Sequence, residues 1–196
     1  MSDADLDIAI QGVIDGMRYT RQGQACTAGS RVYIQEKIYD KVINGAVEKL
    51  SKLKMGNALD EGSDIGAIIS EEQLKRTLHY MDIAKQTSSA KVVHGGNQPT
   101  GGDYKNGFFY EPTLMSGVPV DSPVCQEEIF GPVACAIPFK TFEEVMQSAN
   151  DTPFGLSAVL WTQNLSRALE FVEDIEAGFV QVLSLIHISE PTRRSY

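Results

Sequence analysis

Apolar residues recur along this chain at two alternating spacings. Spacings of three and four residues, which place apolar side chains on one face of a helix, predict helices within residues 6–22, 39–56, 70–87, 141–151 and 164–177. Alternation with a period of two and β-branched runs predict strands within residues 31–35, 90–96, 108–118, 127–140, 156–162 and 177–183. Because strands that alternate with helices are typical of a parallel sheet, we expect an α/β fold.

Individual residues indicate where some of these elements begin and end. Ser70, with Gln73 three positions later, has the spacing of a capping box, which predicts that a helix begins after Ser70. Gly23 and Gly56 are expected to follow the first two helices. Proline cannot donate to a sheet ladder, so Pro112 and Pro132 are expected at strand ends or bends.

Composition indicates a soluble globular protein. Of the 196 residues, 42% are hydrophobic and 22% are charged, the usual balance of such proteins. A chain of this length buries roughly 70% of the surface that it exposes when unfolded. One hydrophobic core is therefore expected, without a need for disulfides or a structural metal.

The net charge of −9 argues against a nucleic-acid partner, since such proteins concentrate Lys and Arg on one surface. No apolar run approaches the roughly 20 residues that a membrane helix needs. The first residues, MSDADLDIAI, are acidic where a secretory signal would be basic. We therefore expect no membrane partner and a cytoplasmic location.

The three cysteines, Cys26, Cys125 and Cys135, form no CxxC pair and have no nearby His, so neither disulfides nor a metal site is expected. Cys26 lies in YTRQGQACTAGSR, where small residues would let a ligand approach the backbone. A thiol in such a loop could be a nucleophile with its backbone N–H free to hold an oxyanion. It could equally be a buried cysteine in a glycine-rich turn, and spacing alone leaves both readings open. Cys125 is interpreted as a packing residue.

Two segments resemble the signatures of one enzyme family. Residues 19–30, with their G-Q-x-C core, resemble the active-site cysteine signature of the aldehyde dehydrogenase superfamily. EEIFGPV, at residues 127–133, resembles the cofactor-contacting motif of that family. FFYEPTL, ANDTPFGLSA and AGFVQV also follow the family's usual order, so the resemblance covers roughly residues 3–182.

The resemblance implies a parallel-sheet α/β catalytic domain that oxidises a small-molecule aldehyde to a carboxylic acid with NAD or NADP. It assigns Cys26 as the nucleophile, which forms a thiohemiacetal and then a thioester with the substrate. It assigns Glu128 to the nicotinamide-side ribose hydroxyls, which two carboxylate oxygens can bind together, and Phe130 to the nicotinamide ring. Gln73 matches a second cofactor-contacting segment more loosely, and a solvated helix position explains it equally well.

The family pattern extends beyond this chain on both sides. In the family, the cofactor domain, an oxyanion Asn and a general-base Glu precede the cysteine motif. We therefore expect residues 1–182 to be a partial catalytic domain, truncated at both ends, within a homo-oligomeric parent protein. Alone, the chain is expected to bind NAD or NADP weakly or not at all and to be inactive as a dehydrogenase. Residues 183–196, LSLIHISEPTRRSY, lose the periodicity and are interpreted as a non-native tail.

Two other classes of function stay open. A cysteine-dependent esterase or acyltransferase would need a histidine base near Cys26, but the positions of His79 and His94 suggest surface or packing roles. A non-catalytic binding protein on the same fold would be favoured by a buried Cys26 or by a Glu128 that points away from it. The dehydrogenase hypothesis predicts that Cys26 and Glu128 face one cleft.

Overall fold

A computed structural model of the chain describes residues 1–183. Of the predicted tail, residues 184–196 lie outside the described residues. The helices are α1 (Leu6–Gly16), α2 (Tyr39–Leu50), α3 (Glu71–Gln86), α4 (Pro123–Gln126), α5 (Phe142–Asn150) and α6 (Leu165–Asp174). The strands are β1 (Arg31–Gln35), β2 (Lys91–His94), β3 (Thr113–Ser116), β4 (Val133–Phe139), β5 (Ser157–Trp161) and β6 (Phe179–Leu183).

A four-stranded sheet with the order β1-β4-β3-β2 forms the centre of the fold. β4 runs parallel to both of its neighbours, with Arg31 of β1 opposite Cys135 and Thr113 of β3 opposite Val133. The sheet is thus mostly parallel, which confirms the fold class predicted from the alternation of strands and helices. Parallel neighbours also place their amino ends at the same edge of the sheet.

The edge strand β2 is the exception, because it runs antiparallel to β3. A parallel connection needs a crossover, usually a helix, whereas the chain between β2 and β3 forms only a single 3₁₀ turn at Gly102–Tyr104. Gly95 and Gly96 follow β2 directly and adopt positive φ angles of 71° and 88°. Residues other than glycine rarely adopt this backbone conformation.

Helices cover both faces of the four-stranded sheet. Ala134 and Ala136 of β4 belong to the apolar cluster that contains α1 and α2. Cys135 and Ile137, which alternate with them, belong to the cluster that contains α3 and α4. Because both faces are covered, every residue of β4 except Pro138 is buried, and the strand reads as a continuous apolar run.

A second, two-stranded parallel sheet consists of β5 and β6. It packs with α5 and α6 around Phe142, Met146, Leu160 and Phe171. The start of the chain contacts this unit, because the amino terminus of Met1 donates to the Trp161 carbonyl at 3.0 Å.

The predicted helix limits agree with the structure to within one residue at α3, where the Ser70 side chain accepts a hydrogen bond from the Gln73 backbone N–H. α1 ends at Gly16, earlier than the predicted break at Gly23, and a 3₁₀ turn follows at Tyr19–Arg21. Within residues 1–183, no helix is both long enough and apolar enough to span a membrane.

Candidate active site

Cys26 lies in the loop that joins α1 to β1, and its side chain is exposed. The start of this loop is fixed by Tyr19, which is fully buried and donates its hydroxyl to the Thr113 carbonyl of β3 at 2.9 Å. The end of the loop is fixed by the backbone N–H of Gly29, which donates to the Gly16 carbonyl at 2.9 Å. Burial of Cys26 would have favoured a non-catalytic role, but the Cys26 side chain is exposed.

The backbone of the Cys26 loop turns sharply just before the thiol. Arg18, Gln22 and Gly23 adopt left-handed φ angles of 57°, 55° and 66°. Gln24 also holds the loop, since its side-chain oxygen accepts a hydrogen bond from the Ile69 backbone N–H at 3.0 Å. Residues other than glycine rarely adopt left-handed φ angles unless their surroundings impose them. The loop therefore has a shape defined by its contacts.

The backbone N–H of Cys26 suits the chemistry of a nucleophile. The neighbouring N–H groups of Ala25 and Ala28 donate to the carbonyls of Gly23 and Ala25. Among residues 1–183, the N–H of Cys26 donates to no acceptor. A free donor beside the attacking sulfur can stabilise the negative oxygen that forms when the sulfur adds to a carbonyl.

The EEIFGPV segment (residues 127–133) precedes β4 in the same way that the Cys26 loop precedes β1. β1 and β4 are parallel neighbours, so the two segments lie at the same edge of the sheet. They are also in contact, because a Cβ atom on Gly23 would collide with the carbonyl oxygen of Gly131. The structure thus brings the two predicted motifs together, whereas a pocket shared by Cys26 and Glu128 stays a prediction.

Glu128 and Phe130 are the two residues of this segment to which the family resemblance assigns contacts with a cofactor. Glu128 is exposed and Phe130 is half-buried. Phe130 has a φ angle of 56°, in the left-handed region that an aromatic residue rarely adopts. Such strained backbone clusters at functional sites, where the surrounding structure holds it in place.

Gln73 supports the EEIFGPV segment from behind. Its side-chain amide donates to the carbonyls of Ile129 at 2.8 Å and Phe130 at 2.9 Å. Thr77 lies one turn further along α3. It packs so closely against Gly131 that a Cβ atom on Gly131 would collide with the Thr77 hydroxyl. Gln73 therefore has a defined role in holding the segment, and a direct contact with a cofactor stays a prediction.

Two further residues of α3 contact this segment and were not identified from the sequence. Arg76 donates from Nε to the Glu128 carbonyl at 3.0 Å, and Tyr80 donates its hydroxyl to Glu127 at 2.7 Å. Residues 73, 76 and 80 share one face of α3 because they are three and four positions apart. This spacing in the sequence indicates that the three side chains share a face of the helix, but it does not indicate which element that face contacts.

The other cysteines differ from Cys26 in their surroundings. Cys125 and Cys135 are both buried. A hydrogen bond between their thiols lowers the pKa of Cys125 and raises the pKa of Cys135. Neither is exposed to a substrate in this fold, which agrees with packing roles.

The histidines and the acidic residues form no second site within residues 1–183. His79 is exposed on α3 and meets the Tyr80 ring edge-on. His94 lies in β2, where burial lowers its pKa, and neither ring hydrogen-bonds to Cys26 among the described residues. No group of three or more His, Cys, Asp or Glu in that part of the chain could hold a metal ion.

An open depression of about 370 Å³ lies at the opposite edge of the sheet. Ser116 at the end of β3 and Pro138 in β4 line it, together with Glu36, Tyr39 and Lys91. It contains no residue of either motif, so it is separate from the candidate site at the amino ends of the parallel strands.

The chain is similar to known proteins over most of its length. The sequence model of the "Aldehyde dehydrogenase family" matches residues 1–192. The alpha-ketoglutaric semialdehyde dehydrogenase of Bacillus subtilis is 37% identical over 180 residues, which are 92% of this chain and 36% of that protein. The betaine aldehyde dehydrogenase of Mesorhizobium japonicum is 39% identical over 176 residues, which are 90% of this chain and 36% of that protein.

Solved structures give the same result. The betaine aldehyde dehydrogenase of Staphylococcus aureus in complex with NAD⁺ matches with a TM-score of 0.87 at 33% identity, over 92% of this chain and 35% of that one. A mutant aldehyde dehydrogenase of Bacillus cereus matches with a TM-score of 0.86 at 36% identity, over 92% and 35% of the two chains. The chain thus spans about 36% of the length of the curated relatives that it matches.

Proposed function

Because the chain belongs to the aldehyde dehydrogenase family, we propose that the whole protein oxidises an aldehyde to a carboxylic acid with NAD or NADP. The observation that carries this proposal is the contact between the exposed Cys26 loop and the EEIFGPV segment through Gly23 and Gly131. It supports a site in which a nucleophilic thiol and cofactor-binding residues act together.

The residues of the EEIFGPV segment fit a nicotinamide cofactor. The exposed Glu128 carboxylate has two oxygens that can accept hydrogen bonds from the two hydroxyls of a ribose. Phe130, half-buried and held in its unusual backbone conformation, offers an apolar ring for packing against the nicotinamide. When bound, NAD or NADP accepts the hydride that leaves the substrate carbon.

Cys26 supplies the covalent chemistry. Its sulfur bonds to the aldehyde carbon, and its backbone N–H holds the negative oxygen that forms. Loss of hydride from that carbon leaves a thioester on Cys26. Water then cleaves the carbon–sulfur bond, which releases the acid and restores the thiol. One aldehyde and one water are consumed, and one acid and one proton are formed besides the hydride transferred.

A second activity follows from the exposure of the same thiol. Attack of Cys26 on an activated ester needs no hydride acceptor, so slow ester hydrolysis can proceed without NAD or NADP. We expect the 196-residue chain alone to show at most this reaction and no dehydrogenase activity, because it spans only about 36% of the length of its curated relatives. Reduction of NAD or NADP by the isolated chain at the rate of an intact relative would contradict this.

The test is an assay of the full-length protein with NAD or NADP and a panel of aldehydes. Betaine aldehyde and α-ketoglutaric semialdehyde belong in the panel, because two of the relatives carry these names. Cys26→Ala should reduce turnover at least about 1,000-fold, as expected for loss of a nucleophile. Cys125→Ala is the control and should remain active, since Cys125 is buried. Unchanged turnover in Cys26→Ala would refute the proposal.

A further inference from the structure

We propose that Arg76 and Tyr80 are positioning residues of the cofactor site, which hold the EEIFGPV segment so that Glu128 and Phe130 stay available to the cofactor. This inference rests on the proposed function, because it takes Glu128 as a residue that binds the cofactor. Neither Arg76 nor Tyr80 is assigned a contact with the cofactor itself.

The backbone of the segment is hydrogen-bonded to α3 at three consecutive carbonyl groups. Arg76 donates to the Glu128 carbonyl from Nε at 3.0 Å and from Nη2. Gln73 donates to the next two, those of Ile129 and Phe130. Since these carbonyls are already bound, the segment is tied to the helix through its backbone. The carboxylate of Glu128 remains exposed.

The two adjacent acids of the segment are distinguished by Tyr80. Glu127 accepts a hydrogen bond from the buried Tyr80 hydroxyl at 2.7 Å. Arg76 in turn donates to that hydroxyl at 3.3 Å, and its guanidinium lies 5.4 Å from the centre of the Tyr80 ring. Glu127 and Glu128 have the same side-chain chemistry, but among the described residues only the Glu127 carboxylate is hydrogen-bonded to the helix. Tyr80 thus determines which of the two carboxylates is left for a ligand.

The hydroxyl of Tyr80 remains a donor at neutral pH. Burial and the hydrogen bond to Glu127 raise the pKa of Tyr80. The phenol therefore stays protonated at neutral pH and can donate to Glu127.

The strained conformation of Phe130 explains why positioning is needed. Its φ angle of 56° is unfavourable for a residue with a side chain. Such a conformation persists only when several contacts impose it. Removing the bonds from Arg76 or Tyr80 lets the segment relax, and the cofactor then meets a less well-ordered set of groups.

The test uses the full-length protein with Arg76→Ala and Tyr80→Phe. The matched control is Lys75→Ala, because Lys75 is an exposed neighbour on α3 whose ammonium group pairs only with Glu71 among the described residues. For each variant, kcat and KM are measured for NAD or NADP and for the aldehyde turned over fastest. Hydrolysis of p-nitrophenyl acetate is measured without cofactor, as a readout of Cys26 alone.

We expect KM for the cofactor to rise about tenfold in Arg76→Ala and in Tyr80→Phe, as for the loss of one well-made hydrogen bond. KM for the aldehyde and the rate of ester hydrolysis should stay within about twofold of the wild-type values. Arg76→Lys should restore part of the affinity, because one ammonium group can still donate to the Glu128 carbonyl. Lys75→Ala should change none of these values.

Two results would overturn the inference. One is an unchanged cofactor KM in both variants. The other is a parallel loss of ester hydrolysis and of all kinetic constants, which a general structural role would cause. Glu128→Gln separates this inference from the proposed function. If Glu128→Gln raises the cofactor KM and the α3 variants do not, only the positioning role fails. If Glu128→Gln also has no effect, both fail.

Discussion

The backbones of Gly23 and Gly131 touch, so that a Cβ atom on Gly23 would collide with the Gly131 carbonyl oxygen. This contact joins the Cys26 loop to the EEIFGPV segment, which are far apart in the sequence. Gly131 also lies close to Thr77 of α3. Gly131 thus contacts both the Cys26 loop and α3, and the absence of side chains at Gly23 and Gly131 makes these close contacts possible.

Adding a methyl group at Gly131 should destabilise the fold. In Gly131→Ala the new Cβ would collide with the Thr77 hydroxyl, and overpacking of this kind costs about 1–3 kcal/mol. Gly101→Ala is the control, because nothing lies within 4 Å of a Cβ at Gly101, and its effect should stay within about 0.5 kcal/mol. Urea unfolding of the three proteins measures the free energies.

The cause of that destabilisation can be tested with Thr77→Ala. The smaller side chain removes the hydroxyl that the new Cβ would meet, so Gly131→Ala should cost less in the Thr77→Ala background than in the wild type. Strictly additive free energies would show that the collision with Thr77 is not the cause.

Cys26 should react with iodoacetamide faster than the other two thiols. Its side chain is exposed, whereas Cys125 and Cys135 are buried and become accessible only when the fold opens. Labelling of the native chain followed by peptide mass spectrometry should show modification of Cys26 first. Cys26→Ser should remove the fast reaction and Cys125→Ala should retain it. Fast labelling that survives in Cys26→Ser would refute the expected exposure.

Two buried tyrosines should make the fold sensitive to alkaline pH. Burial raises the pKa of Tyr110 to about 12, and burial also raises the pKa of Tyr19 above its ordinary value. Both phenols ionise near pH 10 in an unfolded chain, so their contribution to stability is complete below about pH 10 and falls as the pH rises above it. Tyrosinate absorbance from these residues should therefore appear together with loss of the far-ultraviolet circular dichroism. Titration of all tyrosines near pH 10 with unchanged dichroism would contradict this.

Tyr110→Phe should stabilise the protein by about 1 kcal/mol, because the buried hydroxyl has no hydrogen-bond partner among the described residues. Thermal or urea unfolding near pH 7 measures this effect. Tyr19→Phe provides the contrast, because the Tyr19 hydroxyl donates to the Thr113 carbonyl, and this variant should be destabilised by a similar amount. A loss of stability in Tyr110→Phe would show that its hydroxyl has a partner in solution.

Local sequence signals predicted much of the fold because they act over a few residues. The cap at Ser70 needs only the Gln73 backbone N–H three positions away, and the apolar run of β4 follows from burial on both faces. The antiparallel direction of β2 was not predicted, since an apolar strand pattern does not indicate in which direction the strand runs in the sheet.

The candidate site could be predicted only in part, because some of its contacts join residues that are distant in the sequence. The exposure of Cys26 agrees with its glycine-rich surroundings. The contacts of Arg76 and Tyr80 with the EEIFGPV segment join residues that are distant in the sequence. Helical spacing shows that these side chains share a face, but not what that face meets. The role of Gln73 in binding two carbonyls was hidden for the same reason.

The central claim is that Cys26 and Glu128 serve one pocket. It is tested most directly by the rate of Cys26 alkylation in the full-length protein as NAD or NADP is added, compared between the wild type and Glu128→Gln. We predict that the cofactor changes this rate in the wild type, and that about tenfold more cofactor is needed for the same change in Glu128→Gln. An identical dependence on cofactor concentration in both proteins, or a rate at Cys26 that bound cofactor leaves unchanged, would contradict the claim.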